Sequence, residues 1–251
     1  MQLKSVGIIG YGSFGKFIAV LLARFAPEIS VRFSSSSHPA DGKTFFSFEE
    51  VCAADAVVFC VPIHAFEATL IKALPLMPKT SVIVDVTTVK VYTTALLEKL
   101  AAGRPYLATH PLFGPQSYVK TEEKIDGYRI VFTEHTVPPE DYAALTNFLR
   151  TIGFTIVETT AEKHDEQLAE SLFLTHFIGQ SVNRAGFKRT EVDTISFEFL
   201  MQAVEIVCKN TEIFKDVFRF NPYCESVLKR LEAAEKDVHG LLQKEGRAPL
   251  A

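Results

Sequence analysis

The chain has 251 residues, 47% of them hydrophobic and 22% charged, with a formal net charge of −4. That length holds one large domain or two modest ones, each with its own core. The near-balanced charge argues against a nucleic-acid partner, and no apolar run approaches the ~20 residues of a membrane span. The N-terminus runs directly into a strand-like segment, so no signal peptide is expected and the protein reads as cytoplasmic. Cys52, Cys60, Cys208 and Cys224 form no C-x-x-C pair; we expect small buried fillers in a reducing compartment and assign no metal.

In chain order, Val6-Gly7-Ile8-Ile9 predicts a first strand and Phe14 to Phe25 the helix after it. Val31-Arg32-Phe33 predicts a second strand, Asp55 to Val61 a third ended by Pro62, and Ser81 to Asp85 a fourth followed by a helix through Leu96-Leu97. Tyr106-Leu107-Ala108-Thr109 leads into His110; later, Tyr128 to Phe132 and Thr155 to Val157 flank a helix near Tyr142 to Arg150. Nearly continuous apolar strands alternating with helices predict a parallel sheet covered on both faces. After about Thr159 the period changes to helical, over Leu168–Phe187, Phe197–Phe218 and Tyr223–Leu242, with a tail expected to fray after Lys244. The expected architecture is a doubly wound, mostly parallel Rossmann-type α/β domain (1–158) followed by an all-α domain (159–251). So small a helical domain with so many phenylalanines would bury them against a second copy, which predicts a homodimer through the C-terminal helices.

Gly10-Tyr11-Gly12-Ser13-Phe14-Gly15 follows the first strand and opens a helix, the context a dinucleotide fingerprint requires. Gly10 permits the tight turn, Gly12 lets backbone approach a pyrophosphate, and Gly15 lets helix and strand pack closely. Ser13, Phe14 and Gly15 supply amides at a helix N-terminus, where the dipole favours negative charge. An NAD site usually has an acid at the end of the second strand; here Phe33 is followed by Ser34, Ser35, Ser36 and Ser37, with no acid until Asp41. Hydroxyls without a carboxylate suit a 2′-phosphate, and Arg32, His38 and Lys43 add positive charge nearby, so NADP is favoured over NAD.

The run His110-Pro111-Leu112-Phe113-Gly114-Pro115-Gln116-Ser117 places a histidine where a strand ends, followed by a rigid loop. Together with the fingerprint, Val84 to Lys90, Ala161 to Asp165, Thr175-His176 and Phe220-Asn221-Pro222, it resembles the prephenate/arogenate (cyclohexadienyl) dehydrogenase family. The chain looks especially similar to the plant arogenate dehydrogenase branch, and the resemblance covers nearly its whole length. It implies oxidative decarboxylation of prephenate or arogenate with hydride transfer to NAD(P), in tyrosine biosynthesis. It further implies that His110 is the base on the substrate hydroxyl, a task suited to a neutral imidazole near pH 7. Thr88 would contact that histidine and the substrate, or else simply cap a helix. His176 would line the substrate pocket from the helical domain. Asp85 and Lys90 are read as structural, and His164 as interdomain scaffolding.

Two departures from the family pattern bear on substrate. No arginine lies between Arg189 and Arg219, where many members hold a carboxylate, which leaves Arg129, Arg184, Lys188 and Arg189 as candidates, with Arg129 in the sheet domain. Gln116, with Ser117 beside it, stands where many members carry an acid; a neutral amide suits the keto group of prephenate better than the ammonium of arogenate. Competing readings are a non-catalytic NADP-responsive regulator, and a 3-hydroxyacid or pyrroline-carboxylate type of Rossmann enzyme with a helical domain. With the chain ending soon after its third helical stretch, no separate amino-acid-sensing domain is expected, nor a fused mutase segment before the fingerprint.

Overall fold

The computed structural model describes residues 3–209 and 211–245, so the tail from residue 246 on lies outside the described residues. The chain divides into two compact units, Met1–His164 and Asp165–Ala251. The first is built on seven strands: β1 (Ser5–Ile9), β2 (Ser30–Ser34), β3 (Ala56–Phe59), β4 (Val82–Asp85), β5 (Tyr106–Pro111), β6 (Arg129–His135) and β7 (Thr155–Glu158). They form one sheet in the order β2-β1-β3-β4-β5-β6-β7. Its helices are α1 (Ser13–Phe25), α2 (Phe48–Cys52), α3 (Ile63–Ala73), α4 (Val91–Leu100), α5 (Pro115–Lys120) and α6 (Pro139–Thr151), with α7 (Ala161–Leu168) crossing the boundary between units.

The central strands are apolar at successive positions because both faces are covered. Ile9, Val57, Phe59, Ile83 and Ala108 pack with Phe66 and Leu70 of α3 and Leu97 of α4. The alternate residues Ile8, Val58, Val82, Leu107 and Phe132 face the other way, against Phe17 of α1 and Leu149 of α6. Strands β1 to β5 are parallel, as the sequence predicts. The last pair departs from that expectation: β6 runs antiparallel to β5 and parallel to β7. The reason lies in the connection. A parallel return must carry the chain back along the strand, ~20 Å for six residues. The only helix between β5 and β6 is the six-residue α5, which spans ~9 Å. The loop that begins at His110 therefore stays at the carboxyl end of β5, and β6 starts beside it, with Leu112 N–H donating to the Arg129 carbonyl at 2.9 Å.

The second unit contains a π-helical turn (Ala169–Phe173), α8 (Leu174–Arg184), α9 (Ile195–Val207), α10 (Thr211–Phe220) and α11 (Cys224–Glu245). The stretch expected as one helix over Phe197–Phe218 is thus two. Thr211 restarts the helix with Glu212 in its first turn, where the macrodipole favours an acid. Helices α8 and α9 pack closely at Gly179, where a β-carbon would stand 2.4 Å from Val207 Cγ2. Phe173 stacks on Phe214 and Phe218, and buried Asn221 donates from Nδ2 to the Asp165 carbonyl at 2.7 Å.

Candidate active site

Strand β1 ends at Ile9, and Gly10 then turns the chain with φ +110°. A β-carbon at Gly10 would lie 2.4 Å from the Cys60 carbonyl oxygen, and one at Gly15 2.3 Å from the Gly10 carbonyl oxygen, so both positions require glycine. Gly12 differs: a β-carbon there would meet nothing within 4 Å. The space above Gly12 is open, and it precedes α1 without offering a side-chain cap. The first-turn amides of Ser13, Phe14 and Gly15 are thereby presented to an anion. These residues fit a dinucleotide pyrophosphate.

Gly10 N–H donates to the Ser34 carbonyl at 2.9 Å, which ties the fingerprint to the end of β2. Beyond it the serines fold into a polar turn. Ser35 Oγ lies 3.0 Å from Ser37 Oγ, and Ser37 Oγ 2.9 Å from His38 Nδ1, while Ser36 is exposed. His38 stacks on Phe45, and Tyr11 meets both rings edge-on. Lys16 Nζ sits 4.3 Å above the Tyr11 ring. Sequence reasoning missed Tyr11, Phe45 and Lys16; their only signal was proximity in a turn that forms on folding. Asp41, the first acid after the strand, accepts three backbone N–H bonds from Lys43, Thr44 and Phe45 at 2.8–2.9 Å. Those bonds hold its carboxyl below the usual range and occupy one of its oxygens within its own turn.

At the other end of this unit's chemistry, His110 is the fifth residue of β5 and is buried. A bulge between Ala108 and Thr109 shifts the β5–β6 register, after which His110 pairs with Val131; such bulges re-aim side chains. Its Nδ1 lies 3.0 Å from Nε2 of His164, also buried, with the rings edge to face. Burial first, then the nearby His164 and Lys90, push the His110 pKa well below 6.5, so the imidazole is neutral at pH 7.

Beneath it lies a buried ion pair. Lys90 Nζ is 2.6 Å from Asp85 Oδ2, both fully buried, and it also donates to the Thr109 carbonyl at 2.6 Å. Thr93 Oγ1 and Thr87 N–H complete the Asp85 carboxylate at 2.6 and 2.7 Å. Asp85 and Lys90, read from the sequence as structural, are joined in this fully buried pair. Thr88 is half-buried in the turn after β4, and among the described residues no hydrogen bond links it to His110. It is not a helix cap either, because Lys90 occupies that place before α4.

Gln116 is exposed in the first turn of α5, with half-buried Ser117 next to it. The helix is held by buried Tyr118, whose hydroxyl accepts from Arg24 Nη1 at 2.5 Å. Phe113 anchors the loop by stacking on Tyr128 and Phe154. Arg129 is exposed at the start of β6, beside Leu112. In the second unit, the His176 ring stacks on Phe214, and its buried Nδ1 has no hydrogen-bond partner among the described residues. An orphaned ring nitrogen of this kind suits a ligand contact. Arg189 is engaged by Glu198 and Glu205 at 3.1 and 3.0 Å, which removes it as a free carboxylate clamp.

Residues 41–158 match the family model of the prephenate dehydrogenase nucleotide-binding domain, and residues 181–249 that of the TYRAAT1-like C-terminal domain. Arogenate dehydrogenase 2, chloroplastic, of Arabidopsis thaliana is 28% identical, the alignment covering 96% of this chain and 72% of that one. Arogenate dehydrogenase 1, chloroplastic, of the same plant is 29% identical over 96% of this chain, which spans only 41% of that relative. A crystal structure of prephenate dehydrogenase from A. aeolicus, in complex with hydroxyphenyl propionate and NAD+, shares the fold with a TM-score of 0.71. Its identity is 17%, over 96% of this chain and 90% of that one.

Proposed function

We propose that the chain is a member of the prephenate/arogenate dehydrogenase family, which it resembles in its nucleotide-binding domain and along its length, and that it catalyses the oxidative decarboxylation of prephenate, arogenate or both, in tyrosine biosynthesis. The observation that carries the reading is His110, buried and neutral at the carboxyl end of β5, where open α/β sheets place their ligands. When bound, the dinucleotide supplies the nicotinamide that accepts a hydride. Gly10, Gly12 and Gly15 would shape its cradle, and the amides of Ser13 to Gly15 would hold its phosphates. His110 holds the proton of the substrate's ring hydroxyl as the ring loses hydride and carbon dioxide. Thr88 is the proposed second hydroxyl contact, and His176, whose Nδ1 has no hydrogen-bond partner among the described residues, is the substrate contact that the family resemblance implies for the helical unit. Arg129 and Ser117 are the proposed polar contacts to substrate from the sheet unit.

Cofactor and substrate choice follow from charge. The Ser35–Ser37–His38 turn presents hydroxyls and an imidazole, while Asp41, the first acid after the strand, is bound to its own backbone; this favours NADP, with NAD as the weaker cofactor. Gln116 is neutral, which favours prephenate over the ammonium-bearing arogenate. Initial rates on both substrates with both cofactors test the reading together. We expect the highest kcat/KM for prephenate with NADP, and a shift toward arogenate in Gln116→Glu. Equal efficiency with NAD would sink the cofactor preference, no effect of Gln116→Glu would sink the role of that side chain, and no turnover of either substrate would sink the function.

A homodimer through the C-terminal helices belongs to the same proposal. Ile195 and Phe199 of α9 and the preceding Phe187 are 62–76% exposed, more apolar surface than a lone helical unit gains by showing to water. Light scattering should return about twice the 27.9 kDa chain mass; a monomer at micromolar concentration would refute it. No described helix is long and apolar enough to cross a membrane. Cytoplasmic residence is our proposal, and the location of a tagged copy checks it.

A further inference from the structure

We propose that His164 is the positioning residue of the catalytic base: its Nε2 accepts a hydrogen bond from His110 Nδ1–H and so keeps the lone pair of His110 on Nε2. The inference rests on the assignment of His110 as the base and specifies how that base is prepared. Two imidazoles 3.0 Å apart must divide their roles, one nitrogen donating and the other accepting. A base that takes a hydroxyl proton at Nε2 must carry its own proton on Nδ1. Lys90, the other group whose charge reaches His110, has only donors and cannot select that tautomer. His164 Nε2 can. It is held in place by its helix: His164 lies in the first turn of α7, its N–H donating to the Thr160 carbonyl at 2.9 Å.

The chemistry calls for such a partner rather than for a route to solvent. The substrate loses hydride to the cofactor and its ring carboxylate as carbon dioxide, the carbon–carbon bond pair entering the ring. Its hydroxyl remains in the product as a phenol, so no proton is released. The proton that moves toward His110 Nε2 returns to the same oxygen. While it is shared, the Nδ1–H bond to His164 strengthens and spreads the transient positive charge over the buried pair. The same closeness disfavours protonating both rings at once.

Nitrogen-15 spectra of the histidine rings test the pairing without substrate or cofactor. In the wild type, His110 should show a single Nδ1–H tautomer; in His164→Ala it should shift toward a mixture. In steady-state assays, His164→Ala should lose about 10- to 100-fold in kcat, as partners that orient an imidazole do, with KM values within about twofold. His164→Gln, which offers an amide oxygen as acceptor, should recover part of the loss. An Nε2–H tautomer of His110 in the wild type overturns the proposal outright, even if the Ala variant does not fold. So does a folded His164→Ala whose His110 tautomer and kcat are unchanged. If neither cyclohexadienyl substrate is turned over, the functional reading fails while the spectra still decide the pairing.

Discussion

Replacing His110 with Asn is expected to lower kcat by about 10²–10⁴-fold while leaving cofactor affinity unchanged. The amide preserves polarity in a buried position but cannot take up a proton, so the variant isolates the acid–base contribution from packing. The glycine cradle proposed for the cofactor is built by β1, the turn after it and α1, and it does not depend on the His110 ring. The wild-type pH profile should agree. Burial, His164 and Lys90 hold the His110 pKa well below 6.5, so kcat/KM should rise with pH through that lowered value and be level by pH 6.5. Stability shifts in the same direction. As pH falls below 6.5 the unfolded chain takes the proton before the folded one, so stability is lost down to the lowered pKa. Cofactor titration by fluorescence, turnover of the variant and the pH profile are the measurements. A variant within threefold of wild type, or an acid limb centred at or above 6.5, would defeat the assignment.

Lys90→Met should cost about 3–5 kcal/mol of folding stability, read from urea midpoints at constant slope. The lysine and Asp85 are both fully buried and 2.6 Å apart. Removing the cation strands a carboxylate that keeps, among the described residues, the Thr93 hydroxyl and the Thr87 amide, and it also removes the lysine's bond to the Thr109 carbonyl. The pair itself is not what makes the sheet stable, since two ions leave water to form it. The cost is that of leaving one of them alone. Adding Asp85→Asn should therefore restore part of the loss, because the residual buried group is then neutral. A single-variant cost under 1 kcal/mol would show that water or rearrangement satisfies Asp85. Because Lys90 grips the carbonyl just before His110, kcat should fall in this variant as well.

The two histidines show where linear reading stops. His110 was legible because a strand pattern ended in a rigid Pro/Gly loop, a local signal. Its contact with His164 spans 54 positions, and nothing in the spacing tells that the first turn of α7 meets the end of β5. From the sequence alone His164 reads as interdomain scaffolding. Thr88 illustrates the converse: a role implied by resemblance placed a hydroxyl on His110, whereas the hydrogen bond found there is made by His164. Asp85 and Lys90 are five positions apart across a strand end and a helix start, close enough for their structural role to be read locally.

By itself the sequence determined the strand and helix periods, the glycine turn and the presence of a histidine at the end of a strand. Each depends on interactions within a few residues, or on which face of an element is apolar. Only the tertiary structure decided that β6 turns back antiparallel, that the serines close on His38, and that a second imidazole stands against the first. Those outcomes depend on the short reach of α5 and on buried polar groups finding partners far along the chain, which local pattern does not encode.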